Sequence, residues 1–177
     1  KVKENVSLAP YTSARIGGEA DALIIVNSAD ALAETVSQLW EMEIPCLLLG
    51  GGSNLLISDE GFHGMVVLNK AKAVRFRDNS VWAESGVTMS KLANQAATKG
   101  LAGLEWAATV PGTIGGAVYG NAGAFGGDMA GNLIHAELLT EAGRETWSVD
   151  DMAYAYRSSK LKRDAVKAVI LSAELKL

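Results

Sequence analysis

The sequence predicts a fold that mixes α-helices with β-strands, and three observations support this prediction. A strand–helix–strand pattern lies near the N-terminus, and short apolar strands separated by turn residues follow it. Among these strands, segment 100–127 holds nine of the nineteen glycines in the chain. With 177 residues, the chain can bury one good core, or two small cores that share an interface.

The N-terminal part of the chain predicts a β–α–β unit. Its elements are a buried strand at 22–26, a helix at 29–42 and a second buried strand at 46–49. Ser28 can cap the helix and Pro45 ends it. Because a helix connects the two strands, we expect them to run parallel. Residues 1–21 look irregular up to the turn-like sequence Arg15-Ile16-Gly17-Gly18.

The rest of the chain predicts mainly strands. In order, the elements are strands at 65–68, 73–77 and 81–85, a helix at 88–99 that Thr88 can cap, a hairpin of strands at 134–140 and 145–148, a short helix or turn at 149–156, and a strand at 168–177. The last strand places alternate apolar residues from Val169 to Leu177 on one face.

Composition narrows the function classes. The chain is 49% apolar and 20% charged with a net charge of −4, and its sixteen basic residues form no stripe, which argues against a nucleic-acid partner. Cys46 lies in an apolar run and is predicted to be a buried small hydrophobe. Because it is the single cysteine, no disulfide can form within the chain. Without a signal peptide or a bilayer-length apolar run, we expect a soluble, cytoplasmic protein with no membrane partner.

Two glycine-rich stretches are candidates for ligand contact. Segment 100–127 is predicted to be folded, because it carries Trp106 and Ile114 rather than the Ser, Lys and Glu of a flexible linker. Its glycines would let the backbone pass close to a cofactor with a diphosphate. Gly50, Gly51 and Gly52 follow the strand at 46–49, where α/β sheets bind ligands; a tight turn is the alternative. Neither a Rossmann fingerprint nor a P-loop occurs.

Other polar residues leave alternatives open. His63 and His135 are far apart in the sequence and predict no metal site. Strand-like alternation places Tyr154 and Tyr156 on one face with Arg157 opposite. In one interpretation the two tyrosines are structural and Arg157 is solvated. In the other, the Arg157 guanidinium binds a carboxylate, phosphate or enolate oxygen. Asn121 is either a left-handed turn residue or a residue whose side-chain amide forms hydrogen bonds with the edge of a ligand.

Several motifs occur together in the order of one enzyme family. They are Arg15-Ile16-Gly17-Gly18, the sequence LGGGSNLL at 49–56 with Asp59, PGTIGGA at 111–117, NAGAFG at 121–126, and Tyr156-Arg157-x-Ser159. In this order they resemble the UDP-N-acetylenolpyruvoylglucosamine reductases (UDP-N-acetylmuramate dehydrogenases), which are bacterial flavoenzymes of peptidoglycan synthesis. The resemblance covers nearly the whole chain from Asn5.

The resemblance implies an α+β fold of the vanillyl-alcohol-oxidase (PCMH) type. Two subdomains, 1–70 and 71–177, would hold FAD non-covalently between them. The implied cofactor-binding residues are Gly50, Gly51, Gly52, Ser53, Asn54 and Leu55 in the first loop, and Thr109, Val110, Pro111, Gly112, Thr113, Gly115, Gly116, Ala117 and Asn121 in the second segment. In that family NADPH reduces FAD, and the flavin reduces UDP-N-acetylglucosamine enolpyruvate to UDP-N-acetylmuramate. Arg157 matches the arginine that stabilises the enolate, and Tyr156 would help shape the substrate pocket.

The sequence also departs from the family pattern. Thr109-Val110 replaces the commoner Gly-Ile, and Tyr119-Gly120 replaces a bulky residue and Met before Asn121. The family continues into a substrate-binding domain that supplies a proton-donor serine and a late glutamate, and neither can be assigned within 1–177. We therefore expect the FAD-binding portion of such an enzyme, and we expect it to be a monomer. A stand-alone FAD-binding module and another flavin oxidoreductase of this fold are the alternatives.

Overall fold

A computed structural model describes all 177 residues, Lys1–Leu177, and the chain divides into two compact units. The first unit spans Lys1–Ala71 and the second spans Lys72–Leu177. Each unit has its own sheet and its own buried core. The longest helix has 13 residues, and no helix combines the length and apolar character that crossing a bilayer requires.

The first unit is a four-stranded sheet with one helix. Its elements are β1 (Val2–Ser7), β2 (Glu19–Val26), α1 (Ala29–Glu41), β3 (Cys46–Leu49) and β4 (Phe62–Asn69). The strand order is β1-β2-β4-β3, in which β4 pairs parallel with both β2 and β3. The predicted β–α–β unit is present, but β4 lies between its two strands.

Helix α1 begins where the sequence predicts it. The Ser28 side chain accepts a hydrogen bond from the Ala31 amide at 3.1 Å and so caps the first turn. The buried face of α1 carries Leu32, Val36 and Leu39, which follow the helical period.

The prediction that residues 1–21 are irregular was wrong. Strand β1 pairs antiparallel with β2 along the edge of the sheet. Its residues are mostly exposed on both faces, so they do not show the apolar alternation that marks a half-buried strand.

The second unit is built on a five-stranded antiparallel sheet. Its strands are β5 (Val74–Arg77), β6 (Ser80–Glu84), β9 (Leu133–Thr140), β10 (Gly143–Ser148) and β11 (Ala168–Lys176), in the order β10-β9-β11-β6-β5. The strands predicted at 73–77 and 81–85 form the hairpin β5–β6, and the predicted hairpin β9–β10 is confirmed. Strand β11 pairs with both β9 and β6 and joins the two hairpins into one sheet.

Short helices surround this sheet. They are α2 (Met89–Thr98), α3 (Ile114–Gly120), α4 (Met129–Asn132), α5 (Val149–Met152) and α6 (Lys160–Arg163), and a two-stranded hairpin of β7 (Gly123–Ala124) and β8 (Gly127–Asp128) lies between α3 and α4. The sequence did not predict α3, because glycine is among the poorest helix formers and three of its seven residues are glycine. Its apolar residues Ile114, Ala117 and Val118 are buried in the core.

Candidate functional site

The triple-glycine loop follows β3, and its third glycine has a structural reason. Gly52 is buried with φ = +63°, and a Cβ at this position would overlap the carbonyl oxygen of Tyr11. The Ser13 amide donates a hydrogen bond to the Gly52 carbonyl at 3.0 Å. The turn interpretation therefore holds for Gly52. Ser53 and Leu55 are half-buried and Asn54 is exposed, and ligand contact by this loop stays a prediction.

The motif at 15–18 packs against the chain that follows this loop. The Gly18 amide donates to the Ser58 carbonyl at 2.8 Å, and a Cβ on Gly18 would overlap the Asp59 carbonyl oxygen. A Cβ on Gly17 would lie 2.9 Å from the Ile57 Cβ. These two glycines therefore fix the local backbone of the first unit.

In the second unit, the loop before α3 is anchored to the connection between β6 and α2. The amide of Ile114 donates to the Val87 carbonyl at 2.8 Å, and the amide of Gly115 donates to the Ser85 carbonyl at 2.9 Å. The Gly112 carbonyl in turn accepts the Met89 amide at 3.1 Å. Two backbone amides at the start of α3 thus donate hydrogen bonds to the protein itself, and these bonds fix the position of the loop.

The residues around this loop differ in accessibility. Thr109, Pro111 and Gly116 are exposed, Val110, Gly112 and Gly115 are half-buried, and Thr113 and Ala117 are buried. The Val110 amide donates to the Ala107 carbonyl at 3.1 Å, which continues the turn that leads into the loop. The exposed members of this set are the ones available to a ligand.

The glycines of α3 fall into two classes. A Cβ on Gly115 would lie 3.0 Å from the Ser85 Cβ, so close packing on the residue that follows β6 leaves little room for a side chain there. Around Gly116 the nearest atom is the Thr113 hydroxyl at 3.9 Å, and around Gly120 nothing lies within 4 Å. Neither Gly116 nor Gly120 has a positive φ.

Gly116 and Gly120 therefore form an open face of α3 that no feature of the protein explains. They are four residues apart and lie on the same side of the helix. Glycine inside a helix costs about 0.5–1 kcal/mol relative to alanine, yet neither packing nor backbone conformation requires it at these positions. An open, side-chain-free helix face fits the close approach of a planar or phosphorylated cofactor.

Asn121 ends α3 in the left-handed conformation, with φ = +48°. Its side chain is 5% exposed. Its amide nitrogen donates to the Ala155 carbonyl at 3.1 Å and to Asp128 at 3.4 Å, and its amide oxygen accepts the Ala130 amide at 2.9 Å. The turn interpretation of Asn121 is confirmed, and its amide holds together three parts of the second unit.

Arg157 lies in a tight turn closed by two hydrogen bonds between the backbones of Ala155 and Ser158, at 3.0 and 3.1 Å. Arg157 itself has φ = +53° and its carbonyl oxygen accepts a hydrogen bond from the Lys162 ammonium at 3.2 Å. Its guanidinium carbon lies 5.6 Å from the centre of the Tyr156 ring. Both side chains are exposed at the tip of the turn.

The predicted alternation of Tyr154 and Tyr156 on one face was wrong. Tyr154 is half-buried and its hydroxyl donates to the Val118 carbonyl at 2.8 Å, whereas Tyr156 is 90% exposed. The turn at 155–158 interrupts the extended backbone that alternation requires. Burial raises the pKa of the Tyr154 phenol well above its ordinary value, and the negative charge of Asp128 adds to the rise.

One cavity of the second unit gathers several predicted site residues. It has a volume of about 300 Å³, and Asn121, Asp128, Tyr156 and Arg157 line it together with the β7–β8 hairpin. Asn121 and the Tyr156–Arg157 pair are 35 residues apart in the sequence, and the fold brings them to one place.

Sequence reasoning named Phe125 and Ser159 within the family motifs but predicted no role for either residue in this region. Ser159 is fully buried; its hydroxyl donates to the Tyr119 carbonyl at 2.6 Å and accepts the Lys162 amide as the N-cap of α6. Its serine-before-helix position was the available signal. Phe125 lines the cavity from the tip of the β7–β8 hairpin, a position that the glycine pair after it could have indicated.

The remaining sequence candidates occupy ordinary positions. Cys46 is half-buried rather than buried as predicted, because β3 is an edge strand of its sheet. His63 on β4 lies 3.2 Å from Asp21, and His135 on β9 lies 3.6 Å from Glu174.

Comparison with known protein families identifies the family of the chain. A family model described as an FAD binding domain matches residues 20–148. The chain belongs to this family of FAD-binding domains. The resemblance that the motifs predicted is also confirmed, because the UDP-N-acetylenolpyruvoylglucosamine reductase of Lactobacillus helveticus is 38% identical over 178 residues, which cover 99% of this chain.

Solved structures agree with this assignment. A UDP-N-acetylenolpyruvylglucosamine reductase from Thermus caldophilus superposes with a TM-score of 0.84 and 30% identity, and the match covers 99% of this chain and 62% of that one. An alkyldihydroxyacetonephosphate synthase matches with a TM-score of 0.65 at 17% identity, over 92% of this chain and 32% of that chain, and shows the same fold. The predicted α+β fold of the PCMH type is therefore confirmed.

The match covers only part of each relative. The chain spans 59% of the length of the Lactobacillus helveticus reductase. The segment in common is the FAD-binding portion of these enzymes, and residues 20–148 carry the family signature itself.

Proposed function

We propose that this chain binds FAD and serves as the FAD-binding portion of a UDP-N-acetylenolpyruvoylglucosamine reductase. The open glycine face of α3 carries the proposal from the structure. Gly116 and Gly120 lack a side chain where the protein itself leaves space for one, and both lie within the segment that matches the FAD-binding family.

In this proposal, two glycine loops bind the cofactor. The first comprises Gly50, Gly51 and Gly52 with Ser53, Asn54 and Leu55, and the second runs from Thr109 to Ala117. The anchoring of Ile114 and Gly115 on neighbouring carbonyls holds the second loop in place before any ligand arrives. A loop that is already ordered loses less conformational entropy on binding, and this favours affinity.

Bound FAD would supply hydride-transfer chemistry, with NADPH as the reductant and UDP-N-acetylglucosamine enolpyruvate as the substrate. Arg157 is the proposed catalytic residue of this chain. Its exposed guanidinium is a permanent positive charge with several N–H donors, and it can stabilise the enolate oxygen that develops as the enolpyruvyl group is reduced. Tyr156 is proposed to shape the substrate side of the same cavity.

The fold holds the Arg157 turn in place from three sides. Asn121 binds the Ala155 carbonyl, Ser159 binds the Tyr119 carbonyl, and Lys162 binds the Arg157 carbonyl. A charged group that is already oriented before the reaction stabilises the developing charge of the substrate more than the same group on a mobile segment does, because the protein need not reorganise.

The first test is a visible absorbance spectrum of the purified chain, recorded after FAD is added and the excess is removed. A protein-bound flavin band supports the proposal, and a protein that stays colourless contradicts it. NADPH is then added to the loaded protein under anaerobic conditions, where loss of the flavin band would support reductase chemistry. Flavin that binds but is not reduced by NADPH would favour a stand-alone FAD-binding module.

Turnover by the 177-residue chain alone is expected to be slow. The two residues proposed for the reaction, Arg157 and Tyr156, do not include a group that protonates the product, and general acid catalysis typically contributes about a hundred- to ten-thousand-fold. A steady-state assay with UDP-N-acetylglucosamine enolpyruvate and NADPH measures this directly. Turnover within tenfold of that of the Lactobacillus helveticus reductase, assayed in parallel, would show that this expectation is wrong.

A further inference from the structure

Phe125 occupies a position that is unfavourable for a phenylalanine in two ways. It is 87% exposed, and its φ of +49° places it in the left-handed region. Phe125 and Gly126 (φ = +83°) are the two loop residues of the β7–β8 hairpin. Hairpin loops with positive φ at both positions favour asparagine, aspartate or glycine, so neither the turn nor the core requires an aromatic side chain here.

The hairpin holds Phe125 firmly. Next to the two loop residues, Gly127 packs directly on the indole ring of Trp106. The Met129 amide donates to the Ala122 carbonyl at 2.9 Å, and the Asp128 carboxylate accepts the Gly131 amide at 2.9 Å. Because both ends of the hairpin are anchored, the backbone of Phe125 at its tip has a defined place.

That place is the rim of the cavity that contains Arg157. Phe125 and Tyr156 are the two large exposed aromatic residues among the residues that line it, and each lies at the tip of a two-residue turn. The Asp128 carboxylate also lines the cavity, but it is engaged by Gly131 and Asn121. The lining of the cavity therefore combines the cationic Arg157 with two exposed aromatic residues.

We infer that Phe125 is a ligand-binding residue, which covers the apolar or planar part of an anionic nucleotide-bearing ligand whose charged group binds Arg157. This inference rests on the proposed function, in which both the sugar nucleotide substrate and NADPH have this chemistry. A volume of about 300 Å³ is at the small end for ligand sites, so the cavity accepts one end of such a molecule while the remainder lies outside. The unfavourable turn residue is retained because the ring is used in binding.

The substitution Phe125→Asn separates binding from folding. Asparagine adopts the left-handed conformation readily and removes an exposed apolar ring, so the variant should unfold at a temperature a few degrees higher than the original. Loss of the ring should weaken ligand binding by roughly tenfold or more. A residue with a merely structural role would not show both effects in opposite directions.

Two further variants serve as controls. Ala165 is also exposed and left-handed, with φ = +48°, and it does not line the cavity. Ala165→Asn should therefore raise the unfolding temperature and leave ligand affinity unchanged. Phe125→Tyr keeps the ring and should keep the affinity.

The experiment is calorimetric titration of each variant with UDP-N-acetylglucosamine enolpyruvate and, separately, with NADPH. The ligand whose affinity falls in Phe125→Asn is the one that Phe125 covers. Equal affinities of Phe125→Asn and the original chain, a lower unfolding temperature of Phe125→Asn, or no binding of either ligand would overturn the inference. The cavity is formed by the second unit alone, so the titrations are run with and without FAD. Failure to retain FAD would then contradict the proposed function, while the Phe125 result is read independently.

Discussion

Substitution of Gly116 by alanine should stabilise the protein without its cofactor and weaken cofactor binding. A Cβ at this position meets nothing closer than the Thr113 hydroxyl at 3.9 Å, which is ordinary van der Waals contact. Alanine in a helix is favoured over glycine by about 0.5–1 kcal/mol, which for a domain of this size corresponds to a few degrees in unfolding temperature. The added methyl group lies on the open face of α3, where the proposal places FAD.

The neighbouring glycine provides the matched control. In Gly115→Ala the new Cβ would lie 3.0 Å from the Ser85 Cβ, so Ser85 must move by a few tenths of an ångström, and we expect the protein without cofactor to lose stability. The two variants differ by one position in the same helix and add the same methyl group. Opposite signs of the stability change would show that space around each glycine, rather than helix propensity, decides the outcome.

Two assays measure these effects. Thermal or urea unfolding of the cofactor-free protein gives the stability change, and equilibrium titration with FAD gives the affinity. We expect Gly116→Ala to weaken FAD binding at least tenfold, or about 1.4 kcal/mol. If Gly116→Ala binds FAD as well as the original chain, the open face of α3 is not the cofactor surface. If it destabilises the cofactor-free protein, the reasoning about space is wrong.

Three further predictions concern stability. Tyr154→Phe loses the hydrogen bond to the Val118 carbonyl and should lower the free energy of unfolding by about 1 kcal/mol. Because folding raises the pKa of Tyr154, the original protein should lose stability as pH rises above the unfolded pKa of about 10, and the variant should lack this part of the loss. Asn132→Ala removes the partner of the Trp106 indole and of two backbone carbonyls, so urea unfolding should show a loss of about 3 kcal/mol or more, and a loss below 1 kcal/mol would contradict this. Hydrogen bonds from Ser148 lower the pKa of Asp151, so the ionised Asp151 carboxylate should stabilise the protein above the unfolded pKa of about 4. This stabilisation should disappear as pH falls through the lower folded pKa, and acid unfolding of Asp151→Asn should lack that loss of stability.

The elements with strong periodicity could be predicted from the sequence with nearly correct ends. Strand β3 was predicted at its observed residues, and α1 was predicted to begin one residue after Ser28, as it does. These elements bury one face or both faces, so their apolar residues repeat with the period of the backbone. Strand β1 buries neither face well and carries no such signal.

The candidate site was predicted as a set of residues but not as an arrangement. Asn121 and Arg157 were both singled out, and the structure places both at one cavity. Tyr154 and Tyr156 were predicted to share a face, and the turn at 155–158 separates them. The partners of the Asn121 amide lie up to 34 residues away, so sequence spacing could not show that its hydrogen bonds are made within the protein.

The sequence by itself determined the class of secondary structure, the family through its motifs, and the residues most worth testing. These properties depend on local periodicity and on residues that stand close together in the chain. The tertiary structure alone decided that β4 lies between β2 and β3, which glycines of α3 are required by packing, and which rings surround Arg157. Each of these depends on contacts between distant parts of the chain, because packing and hydrogen bonding act through space and not along the sequence.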